Sequence, residues 1–347
     1  MLYRYETRKL LCSPALVGFS VVCLIVNFLL LLMLYGNGGY EKPEPVHEAP
    51  NVFEGYQVGG IAEGYIRKHN VTEKNAQNVK VLYGKLQPVI ERKAADGDAL
   101  SPAFGTATWY VHDTFYGWIF NALVAEGCLI ALFAALLSVG YENVRGTEPI
   151  ICSSKTGRGI MRAKLAASLA SALALFAPLL GLTLILFFAR YGARHDFAAA
   201  WGDNVSNGFN YAVGAYGKPF ITWVSFTVGQ YLYACIGAAV LLSVCFGLIG
   251  FCAGVFIRNV TVSCLAAAVA CGLMYLGKSL FAIGSTVRGV WNMTPVWLWR
   301  GSAQWFTDGE ADIVHARFET AGLMASLAVL AALRVASYII YKRRELT

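Results

Sequence analysis

The sequence has 347 residues, of which 57% are hydrophobic and 14% are charged, and its net charge is +7. A soluble domain carries roughly 25% charged residues, so the composition excludes an ordinary soluble protein and predicts an all-α polytopic membrane protein. None of the nine cysteines lies in the long polar stretch at 41–113, and no Cys/His metal spacing occurs, which excludes a disulfide-stapled ectodomain and predicts no metal site.

Six windows are apolar enough and long enough to span a bilayer, which takes about 20 residues. They are residues 11–35, 115–141 with Glu126 inside, 165–189, a stretch within 219–257, 260–277, and 321–341 with Arg334 inside. The first window is too long for the apolar core of a signal peptide, so we expect a retained first helix. The fourth is too long for one straight span, so we expect an interfacial segment at 220–227 before the helix begins.

The basic residues indicate how these spans are oriented. Lys and Arg are concentrated in the N-terminal tail, in the loop after the second span and in the C-terminal tail. This asymmetry predicts that both termini are cytoplasmic. It also accounts for the positive net charge, so nucleic acid is not an expected partner.

The expected organisation follows the chain from this orientation. Residues 1–40 form the N-terminal tail and the first span, and an external domain follows at 41–113. The second span, at 114–141, is followed by a cytoplasmic loop at 142–164. Spans three to six lie within 165–347, together with external loops at 190–218 and 278–319 and a basic C-terminal tail. Apolar positions at mixed helical spacing within 58–89 predict a small helical cap in the external domain.

Charged residues inside the spans need a physical explanation. A charge near mid-bilayer costs roughly 2.5–3.5 kcal/mol, so Glu126 must face a polar cavity, pair with another group or be protonated. It either lines a pathway and responds to protons, or it makes a structural hydrogen bond between helices. Arg334 lies near the end of its span, where its side chain can extend to the cytoplasmic face. Gly250-x-x-x-Gly254 predicts a close helix contact.

One motif imitates a nucleotide site. Residues Gly272 to Ser279 match G-x-x-x-x-G-K-S, but a phosphate-binding loop must follow a buried strand and begin a helix. Here the match ends the fifth predicted span, so we interpret it as accidental. The nearby Trp291, Trp297 and Trp299 predict an interfacial aromatic belt or, alternatively, a re-entrant gating helix.

The loop at 142–164 carries a spaced set of acidic, glycine and basic residues. They are Glu142, Gly146-Thr147, Ser154-Lys155-Thr156-Gly157-Arg158, and Lys164. A carboxylate at the start and basic residues at the end suit a helix dipole, and Gly157 permits a sharp turn. The alternative is an ordinary basic loop that only reflects orientation.

This pattern resembles the loop between the second and third helices of the permeases of bacterial type-two ABC exporters. Those loops have a Glu ending helix two, a Gly-Thr pair, a Ser/Thr-Lys-x-Gly-Arg turn and a Lys beginning helix three. The resemblance implies that 142–164 forms a coupling helix that docks on a separate ATPase subunit. Pro149 departs from an unbroken helix and limits its length.

The resemblance also implies a complex in the bacterial plasma membrane. An ATPase dimer would bind ATP, so this chain would be no enzyme and need no cofactor, and a second permease, identical or homologous, would complete the pathway for an amphipathic peptide, drug or lipid. Two alternatives remain open. One is an ion- or proton-coupled secondary transporter that uses Glu126, and the other is a membrane-anchored sensor or binding protein that uses 41–113.

Overall fold

The computed structural model describes residues 2–36, 53–96, 111–147, 150, 153, 157–192, 199–202, 204–208, 220–257, 259–308 and 315–343. Within these ranges the chain is helical, and β-pairing is limited to two isolated bridges, Asn204–Thr227 and Thr222–Thr307. The predicted all-α class is confirmed.

The helices longer than one turn are numbered in chain order. They are α1 (Leu2–Leu11), α2 (Pro14–Gly36), α3 (Gly59–Lys68), α4 (Glu73–Gly84), α5 (Gln87–Asp96), α6 (Asn121–Val144), α7 (Ile160–Phe187), α8 (Val228–Phe256), α9 (Val260–Gly277), α10 (Thr286–Trp291), α11 (Pro295–Arg300) and α12 (Phe318–Arg343). A π-helical turn, Phe115–Phe120, leads into α6, and another, Phe188–Gly192, follows α7.

Six helices are long and apolar enough to cross a membrane: α2, α6 with the turns before it, α7, α8, α9 and α12. This is the architecture of a polytopic membrane protein, and the six predicted windows are confirmed. The fourth spanning helix, α8, begins at Val228, after a capping box in which Thr227 and Gln230 bond each other's backbone N–H groups. The segment at 220–227 therefore precedes the helix, as expected.

The centre of the bundle is formed by α6 and α8. Their apolar windows are 61% and 67% buried, against 17% for both α9 and α12, so the latter two are peripheral. Gly250 of α8 lies against α6 so closely that a Cβ atom there would be 2.5 Å from the carbonyl oxygen of Leu132. At Gly254 a Cβ would be 3.1 Å from the Cβ of Val139. The close contact predicted from Gly250-x-x-x-Gly254 is thus formed with α6.

One end of the bundle, here called the basic end, contains Lys9, Arg145, Arg162 and Lys342. It is formed by the end of α6, the start of α7, the turn between α8 and α9, and the end of α12. Helix α1 packs there against α7 and α6. Residues from the predicted N-terminal tail, middle loop and C-terminal tail therefore meet at one end, as the orientation analysis requires.

The opposite end carries a cap, defined as residues 53–96 and containing α3, α4 and α5. Its apolar core includes Tyr65, Val79 and Leu86 and continues onto Ile221, which precedes α8. The side-chain amide of Asn75 donates to the carbonyl of Ile283 at 3.1 Å. The cap thus contacts the segment before α8 and the segment after α9. The predicted small helical cap is present within the described part of 41–113.

Burial affects the ionisation of Tyr56 in the cap. It raises the pKa of Tyr56, and the nearby carboxylate of Asp308 raises it further. The backbone N–H of Asp308 bonds the carbonyl of Ile221 at 3.0 Å. The cap, the segment before α8 and the segment before α12 therefore form one packed unit.

The tryptophans at this end have structural roles that the predicted aromatic belt does not describe. The indole N–H groups of Trp291 and Trp297 donate to the carbonyl of Met274 at 2.6 and 3.0 Å, which satisfies an acceptor in the last turn of α9. Trp299 bonds the backbone of Asn121, and Trp305 is fully buried. These rings join α9, α11 and α6 rather than only facing a membrane interface.

Candidate functional site

The first candidate site lies at the basic end, where α6 stops. The N–H of Thr147 bonds the carbonyl of Glu142 at 2.9 Å, and the N–H of Gly146 bonds that of Asn143 at 3.1 Å. This pair of bonds is a Schellman motif, which requires a left-handed residue, and Gly146 has φ +65°. The Gly-Thr pair singled out in the sequence is therefore the helix-ending signal of α6.

The side chain of Glu142 points back into the bundle. Its Oε2 pairs with Nζ of Lys164, in the second turn of α7, and its Oε1 accepts from Nζ of Lys9 at 2.9 Å. Lys9 also pairs with Glu6 at 2.7 Å. Two carboxylates and two ammonium groups thus form a buried cluster of zero net formal charge, here called the ion cluster. Neutrality and direct pairing make such burial tolerable.

Lys164 is also held by the backbone of α6. Its Nζ donates to the carbonyl of Ser138, and the Ser138 hydroxyl donates to the carbonyl of Lys164 at 3.3 Å. The side chain of Lys164 is 1% exposed. The start of α7 is therefore fixed to the end of α6 by charge and by hydrogen bonds.

The N-terminal helix completes the cluster. The ammonium group of Lys9 lies 4.1 Å from the ring centroid of Tyr141, and the guanidinium of Arg145 lies 5.3 Å from it on the same ring. Such cation–π contacts stabilise the position of both cations. Sequence analysis missed Lys9 and Glu6 as partners, although an acid three residues before a base at the end of a short helix is a signal that could have been followed.

Between these anchors the connection is shorter than the predicted 142–164 loop, because α6 continues to Val144 and α7 begins at Ile160. Gly157 has φ +49°, so it provides the predicted sharp turn into α7. Ile150 and Ser153 have helical geometry, and the Ser153 hydroxyl donates to the Ile150 carbonyl at 2.9 Å.

The predicted coupling residues thus divide into two groups. Glu142 and Lys164 are brought together inside the bundle, whereas Gly146, Thr147 and Gly157 form the turns at the two ends of the connection. Beside them, Val144 at the end of α6 is 74% exposed and Ile150 in the connection is 69% exposed. Ser154, Lys155 and the side chain of Arg158 lie outside the described residues.

The second candidate site is Glu126, in the middle of the second span. The side-chain amide of Asn27 on α2 donates to Glu126 Oε2 at 2.7 Å and lies 3.2 Å from the hydroxyl oxygen of Thr183 on α7. All three side chains are buried. Glu126 therefore makes an interhelical hydrogen bond, which is one of its two predicted roles. Asn27, the one amide in the first apolar window, was the signal that sequence analysis missed.

The match to a nucleotide-binding motif is helical throughout. Gly272 and Gly277 belong to α9, and Lys278 to Leu280 form a further 3-10 turn. The ammonium group of Lys278 lies 3.7 Å from the ring centroid of Trp297. A phosphate loop needs free backbone N–H groups in a turn after a strand, and this arrangement does not offer them.

The other charged residue inside a span, Arg334, lies beside Tyr338 toward the basic end, which is the direction expected from its sequence position.

Comparison with known proteins finds no protein family, curated protein or solved structure that matches the chain. Its function is therefore inferred from the two sites and the loop described above. Within the described residues no group of His, Cys, Asp and Glu is arranged to hold a metal ion.

Proposed function

We propose that the chain is the permease subunit of a type-two ABC exporter in a bacterial plasma membrane. In this proposal both termini and the basic end face the cytoplasm, and the cap lies outside. A dimeric ATPase binds the basic end, and a second permease, identical or homologous, completes the pathway. The substrate class is an amphipathic peptide, drug or lipid, and the large cap favours a peptide.

The observation that carries the proposal is the anchoring of the 145–159 connection. A segment that transmits force from a partner must be joined rigidly to the helices that it moves. Here the Glu142–Lys164 pair and the Ser138 bonds join its two ends, while glycines with positive φ shape the turns at both sides. The sequence resemblance of this loop to ABC permeases supports the same interpretation.

In this proposal the residues that contact the ATPase, Val144 and Ile150, are here called the seat, and a different group of residues transmits the movement of the seat. Val144, the last residue of α6, and Ile150, in the connection, are exposed apolar groups, and burying such side chains against a partner supplies affinity. The ion cluster does not contact the partner; it transmits movement of the seat to α6, α7 and, through Lys9, to α1. Glu142 would thus act as an internal coupling residue rather than as a docking contact.

The test is purification of the complex from native membranes, followed by identification of its subunits and measurement of ATP turnover. An ABC-type ATPase in stoichiometric amount is expected. The double variant Val144→Ser/Ile150→Ser should lose the ATPase while the permease still folds. Val81→Ser is the matched control, because Val81 is also an exposed apolar residue, 49% exposed, but belongs to the cap.

Arg158→Ala, in the same connection, extends the test to the basic part of the motif. We expect weaker ATPase association or ATP turnover that no longer responds to substrate. If the purified chain has no ATPase partner and the seat variants retain full transport, the exporter proposal is wrong.

A second candidate function rests on the buried Glu126. Glu126 lies in mid-span, and among the described residues it bonds a neutral group, the side-chain amide of Asn27. Such a carboxylate is a recognised feature of proton relays. In that case the chain is a proton- or ion-coupled secondary transporter. Transport by the purified chain alone, driven by a pH gradient without ATP, would favour this function over the exporter. Ligand binding by the cap without any transport would favour the sensor alternative.

A further inference from the structure

A cluster of cations surrounds one aromatic ring at the basic end, separate from the ion cluster. Arg334, Tyr338 and Lys342 are four residues apart on α12, so they share one helix face. Arg162, in the first turn of α7, approaches the same ring. The distances from the Tyr338 ring centroid are 5.5 Å for Arg162, 5.7 Å for Arg334 and 5.4 Å for Lys342.

Two of these cations, Arg162 and Arg334, are not balanced as the ion cluster is. No described carboxylate pairs with Arg162 or Arg334. The Nε of Arg334 is buried and has no hydrogen-bond acceptor among the described residues. A buried charged donor without an acceptor is costly, and such an atom in a native structure calls for an explanation. An anionic acceptor from outside the chain would satisfy it.

The surroundings indicate what kind of anion fits. Tyr338 packs against a buried apolar cluster that includes Met161, Phe251 and Val255. On α12 the neighbouring Val335 and Ile339 are 50% and 47% exposed, on a helix that is long and apolar enough to span a membrane. A ligand at this place needs one negative group for the cations and an apolar part for the helix surface.

We propose that Arg162, Arg334 and Lys342 bind the phosphate of an anionic membrane phospholipid, whose acyl chains lie along α12. The backbones of Arg334 and Lys342 are eight residues, or roughly 12 Å, apart along the helix, but their charged groups and that of Arg162 all lie within 5.7 Å of the Tyr338 ring centroid. Guanidinium groups bind phosphate oxygens through paired N–H donors, and the net charge of the lipid adds attraction. This site does not depend on the exporter proposal.

The experiment uses the full chain in nanodiscs of phosphatidylcholine with increasing phosphatidylglycerol, followed by native mass spectrometry of the retained lipids. The unaltered chain should retain phosphatidylglycerol preferentially. Each cation removed should lower its affinity about fivefold, so Arg162→Gln/Arg334→Gln should lose roughly 25-fold. Arg4→Gln/Arg8→Gln is the matched control, because it removes two exposed cations of α1 without touching the site.

Three results would overturn the proposal. One is equal loss of phosphatidylglycerol in the site variant and the control. Another is displacement of the lipid by millimolar inorganic phosphate, which would assign the site to a free phosphate. The third is a dimer that the site variant dissociates, which would mean that a second copy supplies the acceptor. If the double variant does not fold, the single variant Arg162→Gln is used instead, because Arg162 is exposed. Its affinity for phosphatidylglycerol should fall about fivefold, and an unchanged affinity would overturn the proposal.

Discussion

Lys164 of α7 and Glu142 of α6 form a buried ion pair that joins the two membrane helices on either side of the 145–159 connection. The carboxylate also bonds Lys9 of α1 at 2.9 Å, so three helices meet at one residue. The pair therefore stabilises the fold and fixes the connection to the bundle.

The first prediction concerns removal of one partner. Lys164→Met leaves Glu142 buried with only Lys9 as its cation, and breaking a buried pair in this way costs about 3–5 kcal/mol. We expect a clear loss of stability, measured by thermal unfolding of the purified protein in detergent. The exposed cap variant Lys68→Met should unfold like the unaltered chain.

A double variant separates charge from packing. Replacing both partners, as in Glu142→Leu/Lys164→Met, removes the uncompensated charge, so much of the lost stability should return. A double variant as unstable as the sum of the two single variants would contradict the description of these residues as a coupled pair.

The second prediction concerns the contact between α6 and α8. Gly250→Ala would place a Cβ 2.5 Å from the carbonyl oxygen of Leu132, and overpacking of this kind costs typically about 1–3 kcal/mol. Gly237→Ala, on the same helix, meets nothing within 4 Å and should be neutral. Equal unfolding temperatures for the two variants would show that the helices are not in this close contact.

Much of the fold could be predicted because apolar windows of bilayer length leave few alternatives. The window at 260–277 matches α9 at both ends, since Asn259 caps its start and the charged Lys278 follows its end. Hydropathy alone did not place the ends of α6 and α7, because Glu142 and Lys164 looked like polar loop residues, although the resemblance to permease loops assigns both to helix ends. Only their mutual pairing, a contact across 22 residues, allows both to lie inside helices.

The candidate sites show the same limit. Glu126 was found because a lone acid in an apolar window is conspicuous, whereas Asn27 is 99 residues away and no local pattern connects the two. Gly146 was identified as part of a motif, but its role in ending α6 depends on hydrogen bonds to Glu142 and Asn143 that the sequence does not specify. Side-chain partners between helices are a product of packing.

The third prediction distinguishes the two roles of Glu126. Glu126→Gln keeps an oxygen that accepts from Asn27, and interhelical bonds of this kind contribute on average about 0.6 kcal/mol, so stability should hardly change. Under the exporter proposal ATP-driven transport should also persist. Preserved folding with complete loss of transport would favour the proton-coupled alternative. Glu126→Leu, which removes the acceptor, is the comparison for the hydrogen bond itself.

The fourth prediction concerns orientation. In a cysteine-free background, needed because native Cys12 is exposed, Gln77→Cys marks the cap and Arg4→Cys marks the basic end, both at exposed positions. A membrane-impermeant maleimide added to intact cells should label Gln77→Cys, and Arg4→Cys should react only after the cells are opened. Labelling of both from outside would contradict the predicted topology.

The fifth prediction concerns the G-x-x-x-x-G-K-S match in α9. In a phosphate loop both glycines approach the nucleotide, so Gly272→Ala and Gly277→Ala would each weaken ATP binding. In this structure a Cβ at Gly277 would lie 2.8 Å from Cε2 of Trp291, whereas Gly272 meets nothing within 4 Å. We therefore expect Gly277→Ala to lower the unfolding temperature and Gly272→Ala to leave it unchanged, while ATP binding by the purified complex is the same for Gly272→Ala, Lys278→Ala and the unaltered chain. Loss of nucleotide binding in Lys278→Ala, with the complex still assembled, would assign the motif a function that its helical geometry argues against.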